Sequence, residues 1–192
     1  MREARSIAVG REASRSSVTL SSRCSAIDLL LLDVDGVLTD GSIVYADNGV
    51  EVKRFHVRDG SGLKLWHQAG KRTAIISGRT SPVVEIRAAE LGVGRVIQGA
   101  ADKQAAFAHV LRENGVAEAQ VCFVGDDLPD VPLLRQCGLA AAVADACAEV
   151  RASAQYVTRA PGGRGAVREV IELILRCQGR WQQVIEPFVL GH

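Results

Sequence analysis

The sequence predicts an α/β fold in which helices cover both faces of a parallel sheet. Apolar runs typical of strands alternate with helical patterns along most of the chain, a rhythm that indicates βαβ units. One apolar run, Leu29 to Leu32, leads directly into Asp33 and Asp35, and a later run ends at Gly125 before a second acidic segment. Because ligands bind at the carboxyl edge of a parallel sheet, these two strand ends predict a functional site.

The remaining elements follow from local sequence signals. Ser81 and Pro82 are typical of a helix start, and Gly92 follows that helix. Asp102 is a predicted N-cap for the next helix, which Gly115 ends. Strands are predicted at residues 28–34, 73–77, 95–98, 121–124, 139–143 and 156–158.

A β-hairpin is predicted between the first two core strands. Residues 42–46 and 50–55 have strand-like composition, and they flank Asp47-Asn48-Gly49. An Asn-Gly pair favours the tight turn of a two-stranded hairpin. The hairpin should project from the edge of the sheet where ligands bind.

Composition limits the class of protein. The 192 residues suit one domain with tails, and 47% apolar residues are ample for a core. The 23 basic and 22 acidic residues nearly balance, so no nucleic-acid partner is expected. No apolar run approaches the roughly 18 residues of a membrane span, so no membrane partner is expected either. Five cysteines without close pairing indicate free thiols in a reducing compartment, and we expect a cytoplasmic protein.

The two ends of the chain differ from the central domain, which we place at residues 27–180. Residues 1–26 hold five arginines and no apolar run, which predicts a disordered extension. A transit peptide is the alternative, because it shares this richness in arginine and serine. Residues 181–192 form a C-terminal tail of undetermined packing.

The acidic residues at the two strand ends indicate a metal site. Several carboxylates brought together repel one another unless a cation lies among them, and hard oxygen ligands favour Mg²⁺. Asp33, the main-chain carbonyl of Asp35 and the side chain of Asp126 are the predicted ligands. Two further groups fit an anionic substrate. The hydroxyl of Ser77 follows the second core strand, and Lys103 lies in a first helical turn, where the helix dipole disfavours a cation.

These residue types together suit phosphoryl transfer. Asp33 would attack phosphorus and form an aspartyl-phosphate. Asp35 would protonate the leaving oxygen and then activate water. Ser77 and Lys103 would stabilise the charge on the transferring group.

The motifs that carry these residues resemble the haloacid dehalogenase superfamily of Mg²⁺-dependent phosphatases from about residue 27 to 180. The matching segments are DVDGVLTDG (33–41), ISGR (76–79), Lys103 and GDDLPD (125–130). The resemblance implies a Rossmann-like sheet. Further segments resemble the family of 3-deoxy-D-manno-octulosonate 8-phosphate phosphatases of bacterial lipopolysaccharide synthesis; these are FHVRDGSGLK (55–64), ADKQAAF (101–107), AVADA (142–146) and YVTRAPGGRGAVREV (156–170).

The resemblance also implies a set of substrate contacts for a phosphorylated sugar acid. They are Asp35, His56, Val57, Arg58, Asp59, Gly60, Lys64, Arg79, Arg87 and Lys103. His56 stands where the family usually has asparagine, and Lys64 where it often has arginine. Because lysine and arginine recognise carboxylates differently, another sugar acid, such as a nonulosonate 9-phosphate, is the alternative substrate.

The spacing of the motifs predicts a protein without a cap domain. Only 41 residues separate Asp35 from Ser77, and 22 separate Lys103 from Asp126. A neighbouring subunit could cover the site instead, and the resemblance implies a ring-like homotetramer built through the hairpin. The family also places its C-terminal region, here including the glycine-rich segment 161–165, near an adjacent active site.

Two other classes of protein share part of this pattern. A phosphorylation-dependent receiver domain also uses Mg²⁺, an aspartyl-phosphate, a hydroxyl and a lysine, but it carries its acidic pair before the phosphorylated aspartate. A catalytically silent oligomeric scaffold of the same superfamily is the second alternative. The joint presence of Asp33, Asp35, Lys103 and Asp126 favours an enzyme.

Overall fold

A computed structural model of the chain describes residues 19–190. The helices are α1 (Leu20–Ala26), α2 (Val57–Gln68), α3 (Pro82–Leu91), α4 (Lys103–Asn114), α5 (Val131–Gln136), α6 (Ala148–Ser153), α7 (Ala166–Cys177) and α8 (Trp181–Val189). The strands are β1 (Leu29–Leu32), β2 (Val44–Tyr45), β3 (Glu51–Val52), β4 (Arg72–Ile76), β5 (Arg95–Ile97), β6 (Val121–Gly125), β7 (Leu139–Ala142) and β8 (Tyr156–Val157). Short 3₁₀ turns cover Glu118–Gln120 and Leu128–Asp130.

Six of the strands form one parallel sheet in the order β5-β4-β1-β6-β7-β8. Strand β1 is central, and all four of its leucines are completely buried, as expected for a strand covered on both faces. Leu32 is in register with Ile75 of β4 and with Val124 of β6. The chain therefore leaves these three strands side by side, which confirms the predicted parallel α/β fold and brings the predicted site residues to one edge.

Local capping signals located two helices correctly. Helix α3 begins at Pro82 and ends before Gly92, whose φ of 71° is the left-handed conformation that glycine favours. The Asp102 side chain accepts hydrogen bonds from the backbone N–H groups of Gln104 (2.9 Å) and Ala105 (3.1 Å). This cap fixes the first turn of α4 and with it the position of Lys103.

Strands β2 and β3 form a separate antiparallel hairpin, as predicted, but it is shorter than the sequence pattern indicated. Val44 pairs with Val52 and Tyr45 with Glu51, and no third strand among residues 19–190 extends the ladder. Gly49 takes a φ of 77° in the turn. Two-stranded hairpins have little stability of their own, so pairing ends where the turn no longer enforces it.

The predicted disordered extension is wrong for residues 20–26, which form α1. The Thr19 side chain caps this helix by accepting from the N–H of Ser22, and Cys24 is completely buried. The side-chain amide of Gln178 donates to the carbonyls of Cys24 and Ile27, both at 2.9 Å. One buried face is enough to order a short helix, although the composition of residues 1–26 as a whole is polar. Residues 1–18 of the predicted extension lie outside the described residues.

The first part of the C-terminal tail packs against the domain as α8. Trp181 and Val184 are buried, and the Arg180 guanidinium donates to the carbonyl of Ala69 at 2.6 Å. The Trp181 ring lies 5.1 Å from the guanidinium of Arg168 and 4.9 Å from that of Arg176. Among residues 19–190, no helix is both long enough and apolar enough to cross a membrane.

Candidate active site

A cleft of about 800 Å³ lies at the carboxyl edge of the sheet, where β1, β4 and β6 end beside the start of α4. Its lining includes side chains from four separate segments of the chain: Asp33, Asp35, Ser77, Arg79, Lys103, Asp126, Asp127 and Asp130. The structure thus brings together every catalytic and metal-binding residue that the sequence predicted.

Lys103 links two buried carboxylates at the floor of the cleft. Its Nζ lies 2.9 Å from Asp33 Oδ1 and 2.7 Å from Asp130 Oδ1. Burial alone would lower the pKa of Lys103, but the negative charges of Asp33 and Asp130 outweigh it and raise that pKa. Lys103 therefore stays protonated. Its charge partners explain why a cation occupies the first turn of α4 despite the helix dipole.

The pKa of Asp33 is raised to about 6, chiefly by burial, and the charge of Lys103 acts in the opposite direction. Asp33 and Asp130 are both buried, with exposed fractions of 6% and 1%. Asp130 also accepts a hydrogen bond from the backbone N–H of Asp126 at 2.9 Å. Asp130 was not among the predicted site residues. The GDDLPD segment gave a signal for it, because Asp130 is the last of three carboxylates in that turn.

The residues fit a hard divalent cation. Asp33, Asp126 and Asp130 each offer a carboxylate oxygen, and these atoms lie within 4.8 Å of one another. Burial, followed by the charges of Asp33, Asp130 and Asp127, raises the pKa of Asp126 to about 8. Asp126 Oδ1 is buried and has no hydrogen-bond partner among residues 19–190. An orphaned carboxylate oxygen within an acidic cluster is what Mg²⁺ would satisfy.

Two glycines let the backbone approach these carboxylates. Gly36 takes a φ of 90°, and a Cβ there would overlap the Asp126 carboxylate. A Cβ on Gly125 would lie 2.7 Å from Asp130 Oδ2. Neither position has room for a side chain while the acidic cluster keeps this geometry.

The carboxylate of Asp35 lies apart from the acidic cluster. Asp35 Oδ1 forms an ion pair with Lys53, and Asp35 Oδ2 lies 3.6 Å from Arg79 Nε. Glu51 Oε1 in turn lies 2.6 Å from Arg79 Nη2 and 3.4 Å from Lys53 Nζ. Glu51 and Lys53 were not among the predicted site residues. Their two-residue spacing, which places both on one face of the hairpin strand, was the available signal.

Ser77 follows β4 and is 3% exposed. Its backbone N–H donates to the carbonyl of Ile97 at 2.9 Å, which fixes the end of β4 against β5. Ser77 Oγ accepts from the N–H of Arg79 at 3.3 Å. The hydroxyl proton therefore remains available to a ligand in the cleft.

The other predicted substrate contacts do not line this cleft within one chain. They are His56, Val57, Arg58, Asp59, Gly60, Lys64 and Arg87, on or beside α2 and on α3. Asp59 is buried and accepts from the N–H groups of Gly165 (3.0 Å) and Arg168 (2.8 Å), so it caps helix α7. Arg87 pairs with Glu90 at 2.9 Å, whereas the Arg58 and Lys64 side chains are exposed.

The glycine-rich segment 161–165 packs against the loop that follows β1 in the same chain. The N–H of Gly163 donates to the carbonyl of Val37 at 2.9 Å, and that of Gly162 donates to Asp145 Oδ1 at 2.8 Å. A Cβ on Gly162 would overlap the backbone of Gly36. These glycines therefore allow close contact between two backbones beside Asp33.

Comparison with known proteins identifies the family. A family model described as haloacid dehalogenase-like hydrolase matches residues 74–171. The 3-deoxy-D-manno-octulosonate 8-phosphate phosphatase KdsC of Escherichia coli K12 is 46% identical over 164 residues, which cover 85% of this chain and 87% of that protein. The chain belongs to the haloacid dehalogenase-like hydrolase family.

Solved structures of similar proteins share the fold of this hydrolase over most of the chain. A probable YrbI family phosphatase from Pseudomonas syringae is 45% identical with a TM-score of 0.88, over 90% of this chain and 98% of that one. The 3-deoxy-D-manno-octulosonate 8-phosphate phosphatase of Moraxella catarrhalis, in complex with magnesium, phosphate and KDO, is 42% identical with a TM-score of 0.85. That match covers 88% of this hydrolase and 97% of the Moraxella chain. The resemblance found in the sequence motifs is thus confirmed.

Proposed function

We propose that this chain is a Mg²⁺-dependent phosphatase that hydrolyses 3-deoxy-D-manno-octulosonate 8-phosphate to 3-deoxy-D-manno-octulosonate and phosphate, in lipopolysaccharide precursor synthesis. One observation carries the proposal. The cluster of Asp33, Lys103, Asp126 and Asp130, of which Asp33 and Asp130 are buried, lines the cleft of a chain that is 46% identical to an enzyme named for this reaction.

The residues of the cleft suit a two-step reaction. In the first step an oxygen of Asp33 bonds to phosphorus, the bond from phosphorus to the sugar oxygen breaks, and Asp35 gives that oxygen a proton. In the second step Asp35 takes a proton from water, whose oxygen attacks the aspartyl-phosphate. Phosphate then leaves and the Asp33 carboxylate is restored.

Other groups of the cleft would bind and stabilise the phosphoryl group. Asp33, Asp126 and the main-chain carbonyl of Asp35 would hold Mg²⁺. When bound, this ion supplies positive charge that neutralises the phosphoryl oxygens. The Ser77 hydroxyl would donate to one of these oxygens, and the Lys103 ammonium would stabilise negative charge beside Asp33. The Arg79 guanidinium borders the same cleft and suits the carboxylate of a sugar acid.

The expected substrate preference can be measured directly. Mg²⁺-dependent phosphate release would be compared on 3-deoxy-D-manno-octulosonate 8-phosphate, a nonulosonate 9-phosphate and simple hexose phosphates, with Asp33→Asn as the blank. We expect kcat/KM for the octulosonate to exceed the others by at least about tenfold, since matched polar contacts discriminate strongly. Preference for the nonulosonate would transfer the assignment to that sugar acid. If a folded, Mg²⁺-binding chain released no phosphate from any substrate, the alternative of a catalytically silent scaffold would be favoured.

We further propose a homotetramer built through the hairpin. Ile43, Val44, Tyr45, Val50 and Val52 are between 47% and 62% exposed on this small element. Such an apolar surface is typical of an interface between subunits. A neighbouring subunit would also cover the cleft, over which residues 19–190 place no cap domain, and would exclude water from it. We place the enzyme in the cytoplasm, a location that its five free thiols support.

The assembly can be tested with a charged pair of substitutions. Val44→Glu combined with Val52→Glu puts two like charges directly across the hairpin. We expect sedimentation velocity to show a monomer in place of a tetramer, with a lower kcat/KM. Val157→Glu, on the exposed surface of β8 at the far edge of the sheet, is the matched control. A wild-type monomer, or a tetramer that survives the double substitution, would contradict the proposal.

A further inference from the structure

Each of the two aspartates at the end of β1 has a lysine of its own. Lys103 reaches Asp33 from α4, and Lys53 reaches Asp35 from the end of the hairpin. The Lys53 side chain is only 2% exposed, whereas its neighbours Val52 and Arg54 are exposed to solvent. An ammonium group that is withdrawn from water in this way must be compensated by its partners.

The compensation comes from a closed set of four alternating charges. Lys53 contacts Asp35 and Glu51, and Arg79 contacts the same two carboxylates from the other side. We name this set the hairpin charge ring. It joins Glu51 and Lys53, at β3 and its C-terminal flank, to two groups of the cleft.

The hairpin charge ring determines where the Asp35 carboxylate points. Both of its oxygens face cations of the ring, and it is not part of the cluster formed by Asp33, Asp126 and Asp130. A free aspartate side chain rotates among staggered rotamers, and only some of these would face the bond to be broken. A fixed proton donor contributes to catalysis through its orientation as well as its acidity.

We propose that Lys53 is a positioning residue that orients Asp35 for both proton transfers, and that Glu51 positions Arg79 for substrate. This inference rests on the proposed function, in which Asp35 is the general acid and base. It gives a positioning role to the hairpin, which was predicted only to project from the ligand-binding edge and to build the tetramer.

The first test compares Lys53→Met, Lys53→Arg and the control Arg54→Met, which removes an adjacent exposed charge. On the sugar phosphate, Lys53→Met should lower kcat about 100-fold and leave KM within about threefold, because orientation matters most in the transition state. Lys53→Arg should recover part of this loss. Glu51→Gln should instead raise KM more than it lowers kcat.

A second substrate separates the two proton transfers. p-Nitrophenyl phosphate has a leaving group that needs little protonation, so Lys53→Met should retain the first step on it. The second step still needs Asp35, and therefore we expect a burst of about one nitrophenolate per active site before slow turnover. Equal losses on both substrates with no burst, or a loss no greater than that of Arg54→Met, would overturn the assignment.

A double-mutant cycle supplies a readout that does not depend on activity. Lys53→Met and Asp35→Asn should shift the urea midpoint of unfolding non-additively, because each removes the same ion pair. Additive shifts would show that the pair is not coupled. If the wild-type chain prefers another phosphoester, the kinetic comparison applies to that ester. If it releases no phosphate at all, the catalytic part of the inference fails with the proposed function, and the cycle reports on the pair alone.

Discussion

Asp33→Asn is expected to lower phosphate release by at least about 10⁴-fold, because an amide cannot form the aspartyl-phosphate. The substitution is nearly isosteric and removes the charge of a buried carboxyl group. Burial has raised the pKa of this group to about 6, so its charged form is already disfavoured. We therefore expect the free energy of unfolding of the metal-free chain to be retained. The measurement is a steady-state phosphate assay combined with urea denaturation.

The nucleophile assignment has a direct chemical readout and a matched control. When the reaction with a substrate labelled in its phosphoryl group is quenched rapidly, the label should remain on the wild-type chain and should be absent from Asp33→Asn. Asp28→Asn makes the same change at the opposite end of the β1 segment, where Asp28 pairs with Lys71, and should retain activity. Label retained by Asp33→Asn would place the nucleophile elsewhere.

Lys103→Met is expected to impair both activity and stability. The substitution removes the ammonium group that would stabilise the phosphoryl group during transfer, and this loss should lower kcat by roughly 10²- to 10³-fold. In the metal-free chain the change leaves the buried Asp33 and Asp130 carboxylates without their shared cation. Breaking one side of such a buried pair typically costs about 3–5 kcal/mol of unfolding free energy.

Mg²⁺ should reverse much of that destabilisation, since it supplies positive charge to the same carboxylates. Differential scanning calorimetry would show a larger Mg²⁺-induced rise in Tm for Lys103→Met than for the wild type. Lys71→Met removes a lysine that pairs with Asp28 away from the cleft, and its Tm should respond to Mg²⁺ as the wild type does. An equal Mg²⁺-induced rise in Tm for all three chains would contradict the role of Lys103 as the cation that neutralises the acidic cluster in the metal-free chain.

Local sequence signals predicted much of the fold and many residues of the candidate active site. Asp102 and Gly115 delimit α4 in the structure as they do in the sequence, because caps act through hydrogen bonds to residues a few positions away. Parallel pairing then brings the ends of β1, β4 and β6 together, so the sequence alone was enough to group Asp33, Ser77 and Asp126.

Contacts between distant segments were the part that local patterns could not supply. The hydrogen bonds of Asp59 to the start of α7 join residues more than 100 positions apart, and nothing in the RDG segment encodes that partner. Lys53 meets Asp35 only because the chain folds back through the hairpin. Helix α1 was missed for a related reason, since its order depends on Gln178 and on packing against α7.

The packing of Gly162 and Gly163 against the loop after β1 also bears on the order of events during synthesis. The segment with Asp33, the proposed nucleophile, leaves the ribosome before the glycines that pack beside it, which emerge only after β8 has been made. A chain that has been synthesised only as far as β8 therefore holds Asp33 without the backbone contacts of these glycines. The enzyme should become competent only after residues 161–165 have been synthesised and have packed against the loop that follows β1.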